Sequence, residues 1–319
     1  MADPNPRRID VHHHILPPTY KVRAREALIA NTGMPNTSFL FDWTPESALA
    51  QMDKNGVATA IGSISTPGIW FGNDADARSL ARECNDYMAS LRRDHPGRFG
   101  FFAAIPLPDR EGSLREIEYA LDTLKADGIG ILTSYRDRWP GDPAFDAVFA
   151  ELNRRKSVVF VHPTVPMCCV GLIPGVHAAM TEFTFDTTRA ITSFLVNGTF
   201  ARYPDIRFIF CHGGGTISPI AYRISGMPER DPKMKAMMPN GVLHELRRLF
   251  YDTASAVNPP NMAALRALVP MTQILFGTDN PWVPVAVTAN LVDTFGYTAD
   301  ELTAINRENA LRLFPHLRN

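Results

Sequence analysis

Short apolar runs rich in β-branched residues recur along the chain, each followed by a longer stretch whose apolar positions return with helical period. That alternation marks βα units around a parallel sheet, whose strands are buried on both faces and read as apolar runs. Eight runs stand out: Ile9 to His12, Val57 to Ile64, Phe99 to Ile105, Ile129 to Thr133, Val158 to His162, Ile206 to His212, Leu249 to Thr253 and Gln273 to Asp279. Eight strands with intervening helices predict closure into a (β/α)8 TIM barrel; an open doubly wound sheet is the competing arrangement if a run is miscounted. Helical period covers Pro45 to Asn55, Asp76 to Arg93, Ser113 to Ala126, Ala144 to Arg155 and Thr187 to Phe200. Thr298 and Glu301 are spaced as a capping box ahead of a last helix. Two connections are long, residues 15–43 after the first strand and 163–186 after the fifth. Loops of that length in a barrel serve as lids or substrate walls.

One barrel domain over residues 1–319 accounts for the length. The net charge is −1, from 32 basic and 33 acidic side chains without long runs of either sign. That balance offers nothing to nucleic acid or an anionic membrane. The N-terminus MADPNPRRID has no apolar core of a signal peptide, and no stretch approaches the roughly 20 apolar residues that span a bilayer, so a cytoplasmic protein is expected. Cys84, Cys168, Cys169 and Cys211 show no C-x-x-C spacing and are expected to be reduced.

The chemistry sits at strand ends. In IDVHHHILPP, His12 and His14 alternate along a strand and project to one face, with His13 opposite. His162 ends the fifth predicted strand and Asp279 the eighth. Barrel active sites lie at the C-terminal strand ends, so the four side chains are expected to converge as metal ligands. Three imidazoles and a carboxylate suit Zn2+, with Mn2+ possible, and leave a position open for water or substrate. His212, in FCHGGGT, ends the sixth strand. Its glycines allow close backbone approach, and the helix they open could bind an anion. An acid/base role is favoured for His212 over ligation in a two-metal site, for which no bridging lysine is evident.

H-x-H near the start, then HP, HGGG and GTDxPW resemble the amidohydrolase superfamily, and within it the branch like aminocarboxymuconate semialdehyde decarboxylase. DVHHH, ECNDY with HPGRFGFFAAIP, and HPTVP resemble the 6-methylsalicylate decarboxylases. The resemblance implies a metal-dependent, non-oxidative carboxy-lyase acting on a small aromatic acid of the ortho-hydroxybenzoate type. Where the aminocarboxymuconate enzymes carry an arginine four residues before the methionine of MDxxGV, this chain has Ala48 before Met52, which counts against the pyridine-pathway substrate. The family's second carboxylate-binding arginine corresponds to Arg223. In relatives it reaches the site from a neighbouring subunit, implying a homodimer or larger homo-oligomer.

Decarboxylation of an arene requires a proton at the ring carbon bearing the carboxylate; either Asp279 or His212 is positioned to deliver it. Phe41, Trp43, Trp70, Phe183 and Trp282 are the aromatic candidates for the substrate walls. A hydrolase or hydratase of a lactone, amide or unsaturated acid would need the same ligands, with Asp279 as base. A barrel reduced to a binding role would have no need for convergent ligands that cost stability when unpaired.

Overall fold

The computed structural model describes residues 6–32 and 37–318. Eight strands run β1 (Arg8–His14), β2 (Val57–Ser63), β3 (Phe99–Ala104), β4 (Gly128–Leu132), β5 (Val158–His162), β6 (Arg207–Phe210), β7 (Phe250–Asp252) and β8 (Ile274–Leu275). They pair in chain order, each parallel to the next. The chain beyond β8 closes the ring on β1: Val11 N donates to Phe276 O at 3.0 Å, Asp279 N to His12 O at 2.7 Å and His14 N to Asn280 O at 2.7 Å. The fold is a (β/α)8 barrel, as the hydrophobic pattern predicts.

The barrel interior is filled by Ile9, Val11, Ile61, Phe102, Phe160 and Leu275, and it is plugged from below by Leu311, Leu313 and Phe314. Phe102 stacks on Phe160 with ring centroids 5.0 Å apart. The register of β1 on β2 slips between Asp10 and His13. This irregularity re-aims the strand, so Ile9 and Val11 join the interior cluster while His12, one residue on, also faces inward against Phe160 at 5.1 Å.

Two expected strands end early. The sixth stops at Phe210 and the eighth at Leu275, short of His212 and Asp279. His212 (φ 54°) and Asp279 (φ 68°) take left-handed conformations that a regular strand cannot continue through.

The connection over 15–43 carries three short helices, α1 (Pro18–Arg23), α2 (Arg25–Thr32) and α3 (Ser38–Phe41); residues 33–36 lie outside the described part. Around the barrel follow α4 (Pro45–Lys54), α5 (Asp74–Asp94), α6 (Arg110–Glu118), α7 (Asp146–Arg154), α8 (Glu182–Val196), α9 (Thr199–Arg202) and α10 (Ile217–Ser225). α8 begins at Glu182, so the connection after β5 is shorter than its expected span to 186. Thr298 and Glu301 form the expected capping box. No helix among the described residues is long and apolar enough to cross a membrane.

Candidate metal centre and active-site cavity

Strand alternation brings His12 and His14 to one face at the C-terminal mouth of β1, β5 brings His162, and the turn after β8 brings Asp279. One ligand atom from each lies within 4.8 Å of every other. The three rings meet edge to face, with centroids 4.7 to 5.2 Å apart. His12 Nε2 and His14 Nε2 are 3.2 Å apart, and Asp279 Oδ1 is 2.9 Å from the latter and 3.3 Å from the former.

The tautomers follow from the far side of each ring. Nδ1 of His12 faces Asp252 Oδ2 at 2.8 Å, Nδ1 of His14 faces Ser63 Oγ at 3.2 Å and Ser63 O at 3.4 Å, and Nδ1 of His162 faces Pro163 O at 2.8 Å. Each acceptor calls for a proton on Nδ1 and leaves Nε2 as a bare lone pair. Three lone pairs and a carboxylate oxygen then point at one another. His162 Nε2 is buried with no hydrogen-bond partner among the described residues. Such a cluster is repulsive unless a cation, either a proton on His12 or a metal ion, occupies its centre. Tetrahedral bonds of about 2.0–2.1 Å place nitrogen ligands roughly 3.3 Å apart, close to the His12–His14 separation. The residues therefore fit one divalent ion.

Electrostatics agree. Burial, reinforced by His14 and His12, holds the His162 pKa well below the ordinary value, and burial lowers His14 against a partial pull from Asp279. Both are neutral, as ligands must be. Burial opposes ionisation of Asp279, but the positive charge on His12 and the close approach of the His12, His14 and His212 rings overcome it and hold the carboxyl well below its usual range. Burial also opposes protonation of His12, yet Cys211, Asp252 and Asp279 together raise it well above the ordinary value. Cys211 is itself pushed up to about 12 by burial and is a thiol at neutral pH, so the two carboxylates supply that field. A bound cation would answer the same excess of negative charge.

The two oxygens of Asp279 face different partners. Oδ1 sits with the β1 imidazoles, whereas Oδ2 lies 3.3 Å from His212 Nε2. Gly213, Gly214 and Gly215 all take positive φ, letting the chain turn sharply after His212. Of the amides ahead of this helix, Gly214 N and Gly215 N donate to Cys211 O and His212 O, and Thr216 N to Thr188 Oγ1. Those donors are already spent within the chain.

Above the cluster opens a cavity of about 390 Å3 lined by His162, His212, Asp279, Phe183, Trp282 and His177 among others. Of the five expected wall aromatics, Phe183 and Trp282 line it. Trp43 is buried in the core beneath Lys21, and Phe41 lies under the Arg25 guanidinium at 4.3 Å, because the connection after β1 folds into helices that pack outward. Trp70 borders a separate cavity on the other side of His162, covered by Arg136 at 4.3 Å. Arg223 is exposed on the last turn of α10 and lines a shallow outer groove with Tyr222 and Met227, away from its own chain's cavity.

The Amidohydrolase family model matches residues 9–316. The chain belongs to the amidohydrolase family. This amidohydrolase is 35% identical over 98% of its length to the decarboxylase yanB of Aspergillus niger, of which it covers 88%. It is 32% identical to the 6-methylsalicylic acid decarboxylase of Penicillium expansum, over 98% of this chain and 97% of that protein. The crystal structure of 2,6-dihydroxybenzoate decarboxylase complexed with 2,6-dihydroxybenzoate superposes with a TM-score of 0.85 at 19% identity, covering 97% of this chain and 99% of that one. A dihydroxybenzoic acid decarboxylase from Polaromonas with bound manganese and 2-nitroresorcinol superposes at 0.84 and 19% identity, covering 98% of each chain. These two likenesses concern the fold.

Sequence reasoning missed Asp252. It accepts from His12 Nδ1 and, through its other oxygen, from the amides of His212 and Ala254. Its signal was present: it lies in the seventh predicted strand, at the end where barrel chemistry gathers. Asp10 was missed as well; it accepts from His12 N, Thr278 N and the Thr278 hydroxyl, sewing β1 to the turn that carries Asp279.

Proposed function

We propose that this amidohydrolase is a metal-dependent, non-oxidative decarboxylase of a small ortho-hydroxybenzoate of the 6-methylsalicylate type. The observation that carries the reading is the convergence of one ring nitrogen from each of His12, His14 and His162 with Asp279 beneath an aromatic-walled cavity, in a chain about a third identical to decarboxylases along nearly its whole length. His12, His14, His162 and Asp279 hold the ion, Zn2+ by donor set, with Mn2+ the alternative. The ion supplies a Lewis-acid centre that orients the acid and stabilises negative charge on its phenolic oxygen.

The protein's own groups do the rest. Phe183 and Trp282 flank the ring. Asp279 is a carboxylate at rest, so Oδ2 accepts the phenol proton as substrate binds, and His212 Nε2 orients that oxygen from 3.3 Å. Oδ2 then returns the proton to the ring carbon bearing the carboxylate. The bond to the carboxyl carbon breaks, its electron pair restores the aromatic ring, and CO2 departs; a solvent proton finally regenerates the phenol.

Arg223, remote from its own cavity, belongs in this reading to a neighbouring subunit's site in a homodimer or larger homo-oligomer. Exposed Tyr222 beside Arg223, and exposed Met167, Val170, Leu172 and Met180 on the connection after β5, support such an assembly. Four free cysteines support a cytoplasmic setting.

The test is CO2 release by metal-loaded enzyme across salicylate, 6-methylsalicylate and the dihydroxybenzoates, beside a lactone panel. CO2 from an ortho-hydroxybenzoate sustains the proposal, whereas lactone turnover with no CO2 moves the enzyme to the hydrolases. Asp279→Asn is expected to cut kcat by about 10³-fold in preparations that retain metal, within the roughly 10²–10⁴ typical of a single proton-transfer group. Near-normal turnover of that metal-replete variant would take Asp279 out of the proton path.

A further inference from the structure

His177 stands on the connection between β5 and α8, capping a 3-10 turn over Ala178–Met180. Its Nδ1 accepts the amide N–H of Ala179 at 3.2 Å. An imidazole that accepts at Nδ1 and has one ring proton carries that proton on Nε2. Nε2 is buried and has no hydrogen-bond partner among the described residues. The side chain lines the same cavity as His162, His212 and Asp279.

The other cavity groups sharpen the point. Among the described residues no lysine or arginine contributes to the lining, so none of them sets a permanent positive charge against an acid bound there. Two of the polar lining groups are engaged already: Ser65 Oγ accepts from Trp282 Nε1, and the Asn261 side-chain amide donates to Ala256 O. A buried N–H without an acceptor is costly, and a ligand oxygen is what relieves that cost.

We infer that His177 is a substrate-binding residue whose Nε2–H donates to a carboxylate oxygen of the aromatic acid, making the loop after β5 part of substrate recognition. The inference rests on the decarboxylase reading for the identity of the acid, though not for the presence of the donor. The backbone amide of Ala179 fixes the tautomer, so the donor is set before the acid arrives. Losing a hydrogen bond to a charged group weakens binding roughly tenfold to a hundredfold.

The experiment compares wild type with His177→Phe, which keeps a flat ring and removes the donor, and with His177→Gln, which restores one. Metal content and Tm are recorded for each. Calorimetric binding of a hydroxybenzoate and of 2-nitroresorcinol is measured beside KM and kcat. Expected for His177→Phe are a tenfold to hundredfold rise in KM and in the Kd for the hydroxybenzoate, a smaller change in kcat, unchanged metal content, and substantial rescue by His177→Gln. KM and Kd within twofold of wild type in a folded, metal-replete His177→Phe overturn the inference. If wild type releases no CO2 from any acid, the decarboxylase reading fails by itself; hydroxybenzoate Kd then decides His177, with unchanged affinity overturning it.

Discussion

Asp252 shows how a residue outside the proposed ligand set can govern it. Its carboxylate takes the Nδ1 proton of His12 and two backbone amides, so it fixes the ring and the turn carrying His212 together. Gly277 makes this contact possible: a Cβ there would fall 2.8 Å from His12 Cβ and 2.9 Å from Asp252 Cβ. Asp252→Asn would place an NH2 where only acceptors fit. Partners behind a ligand are worth roughly 10–100-fold in metal affinity. Competition against a chromophoric chelator is expected to show a loss in that range, and an unchanged affinity would make Asp252 a packing group only. The convergence of His12 and His14 was legible because an H-x-H on a strand has period 2 and needs no tertiary information. Asp252 was harder to see, because its partner is 240 positions away in sequence.

Elements were legible where burial is continuous and less so where function bends the backbone. β5 matches its predicted span of Val158 to His162, being apolar throughout and ended by a proline. The sixth and eighth strands were read too long because periodicity carries no sign of the positive φ at His212 and Asp279. Phe41 and Trp43 were assigned to the cavity because short helices such as α3 span barely one turn and leave little periodic trace. At the opposite end of the barrel, Arg8 binds β1 to later helices: its guanidinium reaches Asp293, Asn306 Oδ1 and Asn55 O and lies 5.3 Å from the Phe276 ring. Arg8→Met strands these acceptors. Because Asp293 is 30% exposed, the cost falls below that of a fully buried pair, at about 1–3 kcal/mol. Urea denaturation should show a lower midpoint with normal metal affinity; an unchanged midpoint would make the cluster incidental.

At the scale of the whole molecule, two conditions should tune stability. A ligand that binds only the folded state stabilises in proportion to the logarithm of its concentration, so stripping the ion with a chelator is expected to lower Tm, and added Zn2+ or Mn2+ to raise it in graded fashion. A Tm indifferent to metal would speak against the proposed centre. The second condition is pH. A hydrogen bond to Asp127, 2.7 Å away, raises the His316 pKa above its ordinary value despite partial burial. A raised folded pKa gives stability that is complete below the unfolded value of about 6.5 and is lost as pH climbs through the folded value. The His316 side chain is 57% exposed, so solvent screening limits the effect to about 1 kcal/mol or less. Wild type should lose a small increment of stability on passing above neutrality, and His316→Ala should flatten it.

The seam between β1 and the turn after β8 carries one more consequence. His12 supplies an imidazole to the cluster while its carbonyl accepts the amide of Asp279, and Asp10 beside it takes the Thr278 amide and hydroxyl. The first and last proposed ligands are therefore neighbours in space and nearly the full chain apart in sequence. On a ribosome emitting roughly 5–20 residues per second, the earliest histidines wait many seconds for their carboxylate. Capture of an ion at the proposed centre would thus be a late event in biogenesis, one that can report only a finished ring.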